Sequence, residues 1–243
     1  MEALPGLLRR FPDYTHLETV PEISRKSTVI HLGLDLAAHD RYRGDYQQHL
    51  WGRRMQPPIV LWNQRWEYDK NPEAFFRMMN RIDDAGFDFR LILAGEHFEE
   101  QPREFDRAFE RYAERILHYG YADDFEEYSR LLHRADIVVS TAIHEFFGIA
   151  IMEAIYCGCH PLLPNRLSYP ELIPDSLHRP LLHAPVLYDN EENLFHILAS
   201  ILSGAERPLP VSTLRHIPES LDWRTHVSVY DDLVEEIATA REE

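Results

Sequence analysis

Between residues 57 and 164 the sequence alternates short, uninterrupted apolar runs with longer amphipathic stretches, and few folds accept that order. The run Ile59–Trp62 (IVLW) has strand length and is introduced by Pro57-Pro58. NPEAFFRMMNRIDDAG then takes up a helical period, with Asn71 as N-cap, Pro72 as first helical residue and Gly86 as stop. The pattern repeats: strands over 89–94, 116–119, 137–140 and 161–163 are separated by helices over 102–114, 125–134 and 148–156. These strands are continuous apolar runs rather than in-out alternations, which is the mark of parallel strands covered on both faces. The spacing predicts an α/β fold with a doubly wound, mostly parallel, Rossmann-like sheet.

Around that core the signals weaken. Residues 28–34 (TVIHLGL) read as one more buried strand, and 37–55, polar with Trp51 and several Arg, as a connector. Beyond Pro164, prolines at 170, 174, 180 and 185 make a loop-rich segment, until helical periods resume over 191–202 and 225–240. Residues 1–26 offer one short helical stretch and no strand to pair with.

Composition excludes several classes. Twenty-five Lys and Arg against 41 Asp and Glu give the 243 residues a formal charge of −16, which disfavours nonspecific attraction to phosphate backbones or anionic lipid. A hydrophobic share of 44% is too high for disorder, and no apolar run approaches the ~18 residues of a membrane span. Cys157 and Cys159 sit one residue apart in an apolar run, a spacing that suits neither a disulfide framework nor a zinc site. With MEALPGLLRRFPDY lacking the pattern of a secretory signal, a reducing compartment, the cytoplasm, is the simplest location.

In doubly wound sheets ligands bind beyond the carboxyl ends of the strands. After Ile59–Trp62 comes NQRWEYDK, which sets Arg65 and Lys70, with Asn63 at the strand end, in one loop ahead of a helix. Two cations beside a helix N-terminus make an anion site the size of a diphosphate; as loop charges they would equally well be solvated. After 137–140 comes TAIHEFFGIAIMEAIYCG, with Glu145, an aromatic pair, Gly148, and then a helix carrying Glu153 among Ile149, Ile151, Met152 and Ile155. A carboxylate on so apolar a helix needs a polar partner, and ribose hydroxyls would serve. Gly148 lets backbone amides at the helix start approach an anion closely.

Arg65…Lys70, then Gly120-Tyr121, then Glu145-Phe-Phe-Gly…Glu153-Ala resemble the donor domain of the retaining GT-B glycosyltransferases of family 4, over residues 27–243. Within that family LWNQRWEYDKNPEAFF, HYGYADDFEEYSRLL and ADIVVSTAIHEFFGIAIMEAIYCGCHPLLPNRLSYPELIP are similar to the branch that mannosylates queuosine in tRNA. The resemblance implies a nucleotide-sugar-binding domain over 27–243, with GDP-mannose as donor and the cyclopentenediol of queuosine as acceptor. It assigns Arg65 and Lys70 to the donor diphosphate and Glu145 to the transferred sugar, as the catalytic set. Asn63, Phe147, Gly148 and Ile149 join the donor site, Glu153 binds ribose, and Gly120-Tyr121 pack against the base. It implies no metal and no cofactor. Family members carry an N-terminal acceptor domain; residues 1–26 would correspond to its last helix and exit segment. The chain alone is therefore expected to be inactive, to meet tRNA only together with that domain, and to self-associate through apolar surface left uncovered. A nucleotide-sugar-binding module without catalysis, or a family 4 enzyme of other specificity, fits the same residues.

Other residues have plainer readings. None of the fourteen histidines forms a helical two-ligand spacing with a third ligand nearby, and His144 and His160 read as surface or packing residues. Cys157 and Cys159 read as buried small hydrophobes. Trp62 reads as core, and Trp66 as either core or a stacking platform. Asp123-Asp124 and Glu126-Glu127 read as a solvated helix start, and Glu171 as a neighbour of the donor.

Overall fold

A computed structural model describes residues 4–44, 57–96 and 103–239. Trp51 with the rest of the connector from residue 45 onward, Pro102 and Ala240 lie outside the described residues. Contacts divide the chain into two compact units, Met1–His31 with Val229–Glu243, and Leu32–Ser228. In the smaller unit, α1 (Leu4–Leu8) and α2 (Val20–Arg25) are short helices, and the Tyr230 hydroxyl donates to the His31 carbonyl at 2.8 Å.

The larger unit is built on β1 (Ile59–Trp62), β2 (Arg90–Ala94), β3 (Ile116–Gly120), β4 (Ile137–Val139), β5 (His160–Pro164) and β6 (Leu187–Tyr188). They form one six-stranded sheet in the order β3-β2-β1-β4-β5-β6, with every pairing parallel. This is the doubly wound α/β sheet that the apolar runs predict. Every residue of β1, β4 and β5 is buried, as strands sandwiched between helices require.

Three helices, α3 (Pro72–Asp84), α4 (Arg103–Tyr112) and α9 (Glu191–Leu202), bury Phe75, Phe105 and Leu198 with Val60, Leu91 and Val139 on one face. On the other face α5 (Phe125–Arg134), α6 (Ile149–Cys157) and α10 (Val211–His216) bury Leu132, Ile155 and Leu214 with Leu61, Ile92 and Val138. Two short helices, α7 (Tyr169–Leu172) and α8 (Asp175–His178), follow β5, and α11 (Trp223–Thr239) closes the chain. Among the described residues no helix is long and apolar enough to cross a membrane.

The caps explain where the helices start. Asn71, at φ 53°, accepts from the Ala74 amide at 3.3 Å ahead of Pro72, as its position predicts. Asp124 accepts from the Glu127 amide at 2.8 Å while the Glu127 carboxylate reaches back to the Asp123 amide at 2.7 Å, so the acidic pairs cap α5. Helix α6 is apolar nearly all round because it is packed nearly all round, and glycines at positive φ, Gly148 and Gly158, end it on both sides.

Two expectations need correction. Residues 28–34 are not a strand: Val29 is 77% exposed, and only Leu34 pairs, in a parallel bridge to Asp222. Leu34 accepts from the Trp223 amide and donates to the Leu221 carbonyl, both at 2.7 Å, and a Cβ on Gly33 would lie 1.7 Å from the Trp223 ring. Gly33 and Leu34 pack against the start of α11 instead of a sheet edge. Conversely β6 lies within the stretch read as loop; two residues are too short for a periodic signal.

Candidate functional site

The strand order reverses between β1 and β4, and the loops leaving these neighbours diverge to opposite faces, opening a crevice at their carboxyl ends. The β1 loop carries Asn63, Arg65 and Lys70, and the β4 loop carries Glu145, Phe147 and Gly148, so the reversal itself brings the two predicted clusters together. Hydrogen bonds stitch the loops: the Ile143 and His144 amides donate to the Asp69 carbonyl at 2.8 and 3.2 Å, and the Thr141 hydroxyl faces the Lys70 and Asn71 carbonyls at 3.0 Å each.

Lys70 is only 8% exposed. Its Nζ meets Glu145 Oε2 at 3.0 Å, the His144 carbonyl at 3.2 Å and Asp69 Oδ2 at 3.4 Å. The same Asp69 oxygen lies 3.7 Å from Arg65 Nη2, and Glu67 holds Arg65 Nη1 at 3.0 Å. Carboxylates therefore pair with both cations. Gly148 is at φ 98°, and a Cβ there would lie 3.0 Å from Tyr169 Cε1, a ring fixed by the 2.8 Å contact of its hydroxyl with Ser140 Oγ. That close approach brings the first turn of α6, with its free-end amides, up to the crevice. Phe147 is half-buried and its carbonyl is taken by the Ser168 hydroxyl at 2.9 Å; Ile149 is exposed at the helix start.

A second line of polar groups runs beneath. Asn63 Nδ2 donates to the Ala150 carbonyl at 2.8 Å and approaches the Tyr128 hydroxyl at 3.4 Å, and that hydroxyl donates to Glu153 Oε2 at 2.8 Å. Burial, with the Glu153 carboxylate adding to it, pushes the Tyr128 phenol well above its ordinary value, so it stays a donor. His39 Nε2 stands 3.8 Å from the other Glu153 oxygen. Beside this line a cavity of about 350 Å³ is lined by Asn63, Arg65, Gly95, Tyr121, Phe125 and Tyr128. Gly120, at φ 115°, turns the chain from β3 into it.

The family model for glycosyl transferases group 1 matches residues 48–202, more than half of the chain. The chain belongs to this family. A Drosophila melanogaster relative, tRNA-queuosine alpha-mannosyltransferase, is 41% identical over 115 residues, 47% of this chain and 30% of its own. The GDP-mannose-dependent alpha-(1-6)-phosphatidylinositol dimannoside mannosyltransferase of Mycobacterium tuberculosis (strain ATCC 25177 / H37Ra) is 27% identical over 195 residues, 78% of this chain and 48% of its own. The chain thus spans less than half the length of the curated relatives it matches. In fold it is similar to the crystal structure of Anabaena HepE in complex with UDP, at a TM-score of 0.65 and 17% identity, covering 87% of this chain and 57% of that one.

In this group 1 glycosyl transferase domain the predicted residues fall into three groups. Arg65, Lys70, Glu145, Phe147, Gly148 and Ile149 gather at the sheet's reversal, and Asn63 is linked to Glu153 through Tyr128. Gly120 and Tyr121 stand two strands away, and Tyr121, 69% exposed, joins Asn63 and Arg65 at the cavity wall. Asp69, Gly95 and Tyr128 escaped sequence reasoning. Asp69 lies inside the loop already singled out and was findable as a carboxylate beside its cation. Tyr128 carries no such signal, because it meets Glu153 across two helices, 25 residues on. Gly95 matters by contact alone: a Cβ would sit 2.0 Å from the Gln64 carbonyl.

Several other residues resolve. Trp66 is buried and stacks on Phe105 at 3.9 Å with Trp62 close by, so both are core. Cys157 and Cys159 are free, buried thiols, and His144 is exposed. Among the described residues no cluster of three or more His, Cys, Asp or Glu groups could hold a metal ion. A larger hollow, about 950 Å³, lies near β6 between residues such as Arg179, Leu181, Asn193 and Arg207. It contains none of the predicted site residues, and its size gives it no chemistry.

Proposed function

We propose that the chain is the donor-binding half of a retaining GT-B mannosyltransferase that takes GDP-mannose and serves mannosyl transfer to queuosine in tRNA. The observation that carries this reading is the meeting of Arg65, Lys70 and Glu145 at the sheet's reversal, beside the N-terminus of α6. Both relatives are mannosyltransferases, which supports mannose as the sugar, and the Drosophila relative supports the acceptor.

In this reading the donor diphosphate replaces the carboxylates on Arg65 and Lys70, with the first amides of α6 facing its oxygens. Glu145, released from Lys70, accepts from hydroxyls of the sugar and orients the anomeric carbon. Glu153 accepts from ribose, and Gly120 and Tyr121 line the base pocket. As the bond from the anomeric carbon to phosphate breaks, negative charge collects on the departing nucleotide. Arg65 and Lys70 then stabilise it where a metal ion would otherwise serve. The acceptor hydroxyl, presented by a second domain that the complete enzyme supplies to residues 27–243 and that also holds the tRNA, forms the new bond to the anomeric carbon and passes its proton to the departing phosphate oxygen. A cytoplasmic location belongs to the same reading and is supported by the free thiols. So does self-association through exposed Val234 and Ile237 of α11.

Calorimetric titration of the chain with GDP, GDP-mannose, UDP and UDP-glucose tests the proposal. GDP and GDP-mannose are expected to bind, and Arg65→Ala and Glu153→Ala to weaken both. A folded chain that binds no nucleotide, or binds equally well after both substitutions, removes the reading; preference for UDP removes its mannose part.

A further inference from the structure

Glu153 is a carboxylate on an apolar helix, with its side chain 21% exposed, and among the described residues no Lys or Arg pairs with it. Its close polar partner is a phenol. The Tyr128 hydroxyl donates to Oε2 at 2.8 Å, and Tyr128 is in turn steadied by Asn63, whose amide is tied to the Ala150 carbonyl in the first turn of α6. His39, packed by the other oxygen at 3.8 Å, is too far to hydrogen-bond it.

A cation in the place of Tyr128 would neutralise the carboxylate and compete with any hydroxyl for its lone pairs. A neutral donor does neither: it fixes one oxygen and leaves the full charge to be shared with the other. We infer that Tyr128 is a positioning residue, which commits Glu153 Oε2 and so presents Oε1 as the acceptor for the vicinal hydroxyls of a ribose. The inference rests on the nucleotide site proposed above and adds how that site selects a ribonucleotide. Holding the carboxylate in one rotamer before the ligand arrives lowers the ordering cost of binding.

Titration of the full chain with GDP and with UDP, each beside its analogue lacking both ribose hydroxyls, tests this. Tyr128→Phe is expected to weaken the ribonucleotide roughly tenfold and to leave the dideoxy analogue at its wild-type affinity. An equal loss on both ligands, as a merely structural tyrosine would give, or no loss on either, overturns the inference and leaves the nucleotide site standing. A wild-type chain that binds neither GDP nor UDP overturns the site reading and the inference together. Glu153→Asp leaves Tyr128 in place and draws the carboxylate back by one methylene, which covers the case of a Tyr128→Phe that does not fold. It must show the same ribose-selective loss, and undiminished discrimination in it overturns the inference.

Discussion

Lys70 Nζ and Glu145 Oε2 lie 3.0 Å apart across a sequence separation of 75 residues, one on each side of the point where the strand order reverses. Lys70→Ala strands a largely buried carboxylate and is expected to cost about 2–3 kcal/mol, discounted from a fully buried pair for the exposure both side chains keep. Adding Glu145→Gln should return most of that stability in urea unfolding without returning nucleotide affinity. A double variant as unstable as the single one would refute the pairing as the source of the loss.

Arg65 provides the contrast. Its side chain is 51% exposed and its ion pairs face solvent, so Arg65→Ala should change stability by no more than about 0.5 kcal/mol. Nucleotide affinity should nevertheless fall about 10- to 100-fold, the loss of a charge-assisted phosphate contact. Calorimetry alongside thermal unfolding separates the two, and a parallel loss of both would count against a binding role.

Gly148→Ala places a Cβ at positive φ and 3.0 Å from the Tyr169 ring. Strain and the shifted ring together should cost about 1–3 kcal/mol, read as a lowered urea midpoint. The first turn of α6 moves with it, so binding of inorganic pyrophosphate should weaken as well. Unchanged pyrophosphate binding would mean that the α6 terminus does not face the anion.

His160 makes acid stability measurable. Burial pulls its imidazole down to about 4, and Nδ1 must remain bare to accept from the Leu209 amide at 3.1 Å. Above the unfolded value of 6.5 the ring is neutral in both states and pH has no effect through it. As pH falls from 6.5 toward about 4 only the unfolded chain takes the proton, so stability drops by about 3 kcal/mol across that window and then levels off. His160→Gln should flatten the slope between those limits in urea titrations at stepped pH; an unaltered slope assigns it to other groups.

The sequence made the sheet legible because buried parallel strands leave uninterrupted apolar runs, and Asn71, Pro72 and Gly86 sit where helix ends demand them. The same logic overreached at 28–34, since an apolar run reports burial and not a neighbour to pair with; Leu34 is buried against α11, while Val29 is not buried at all. Arg65, Lys70, Glu145 and Glu153 stood out as charges in apolar or helix-capping surroundings. Tyr128 did not, because a tyrosine on an amphipathic helix is ordinary until the helix beside it is known, and Gly95 became visible only once Gln64 lay against it.

The bridge from Leu34 to Asp222 means that the larger unit begins and finishes at nearly the same place. Its connectivity is close to a ring, cut at one point beside that bridge. Sealing that cut with a short linker and reopening the chain at the exposed Gly204 turn, after α9, would yield a circular permutant with the same strand order and the same Lys70–Glu145 meeting.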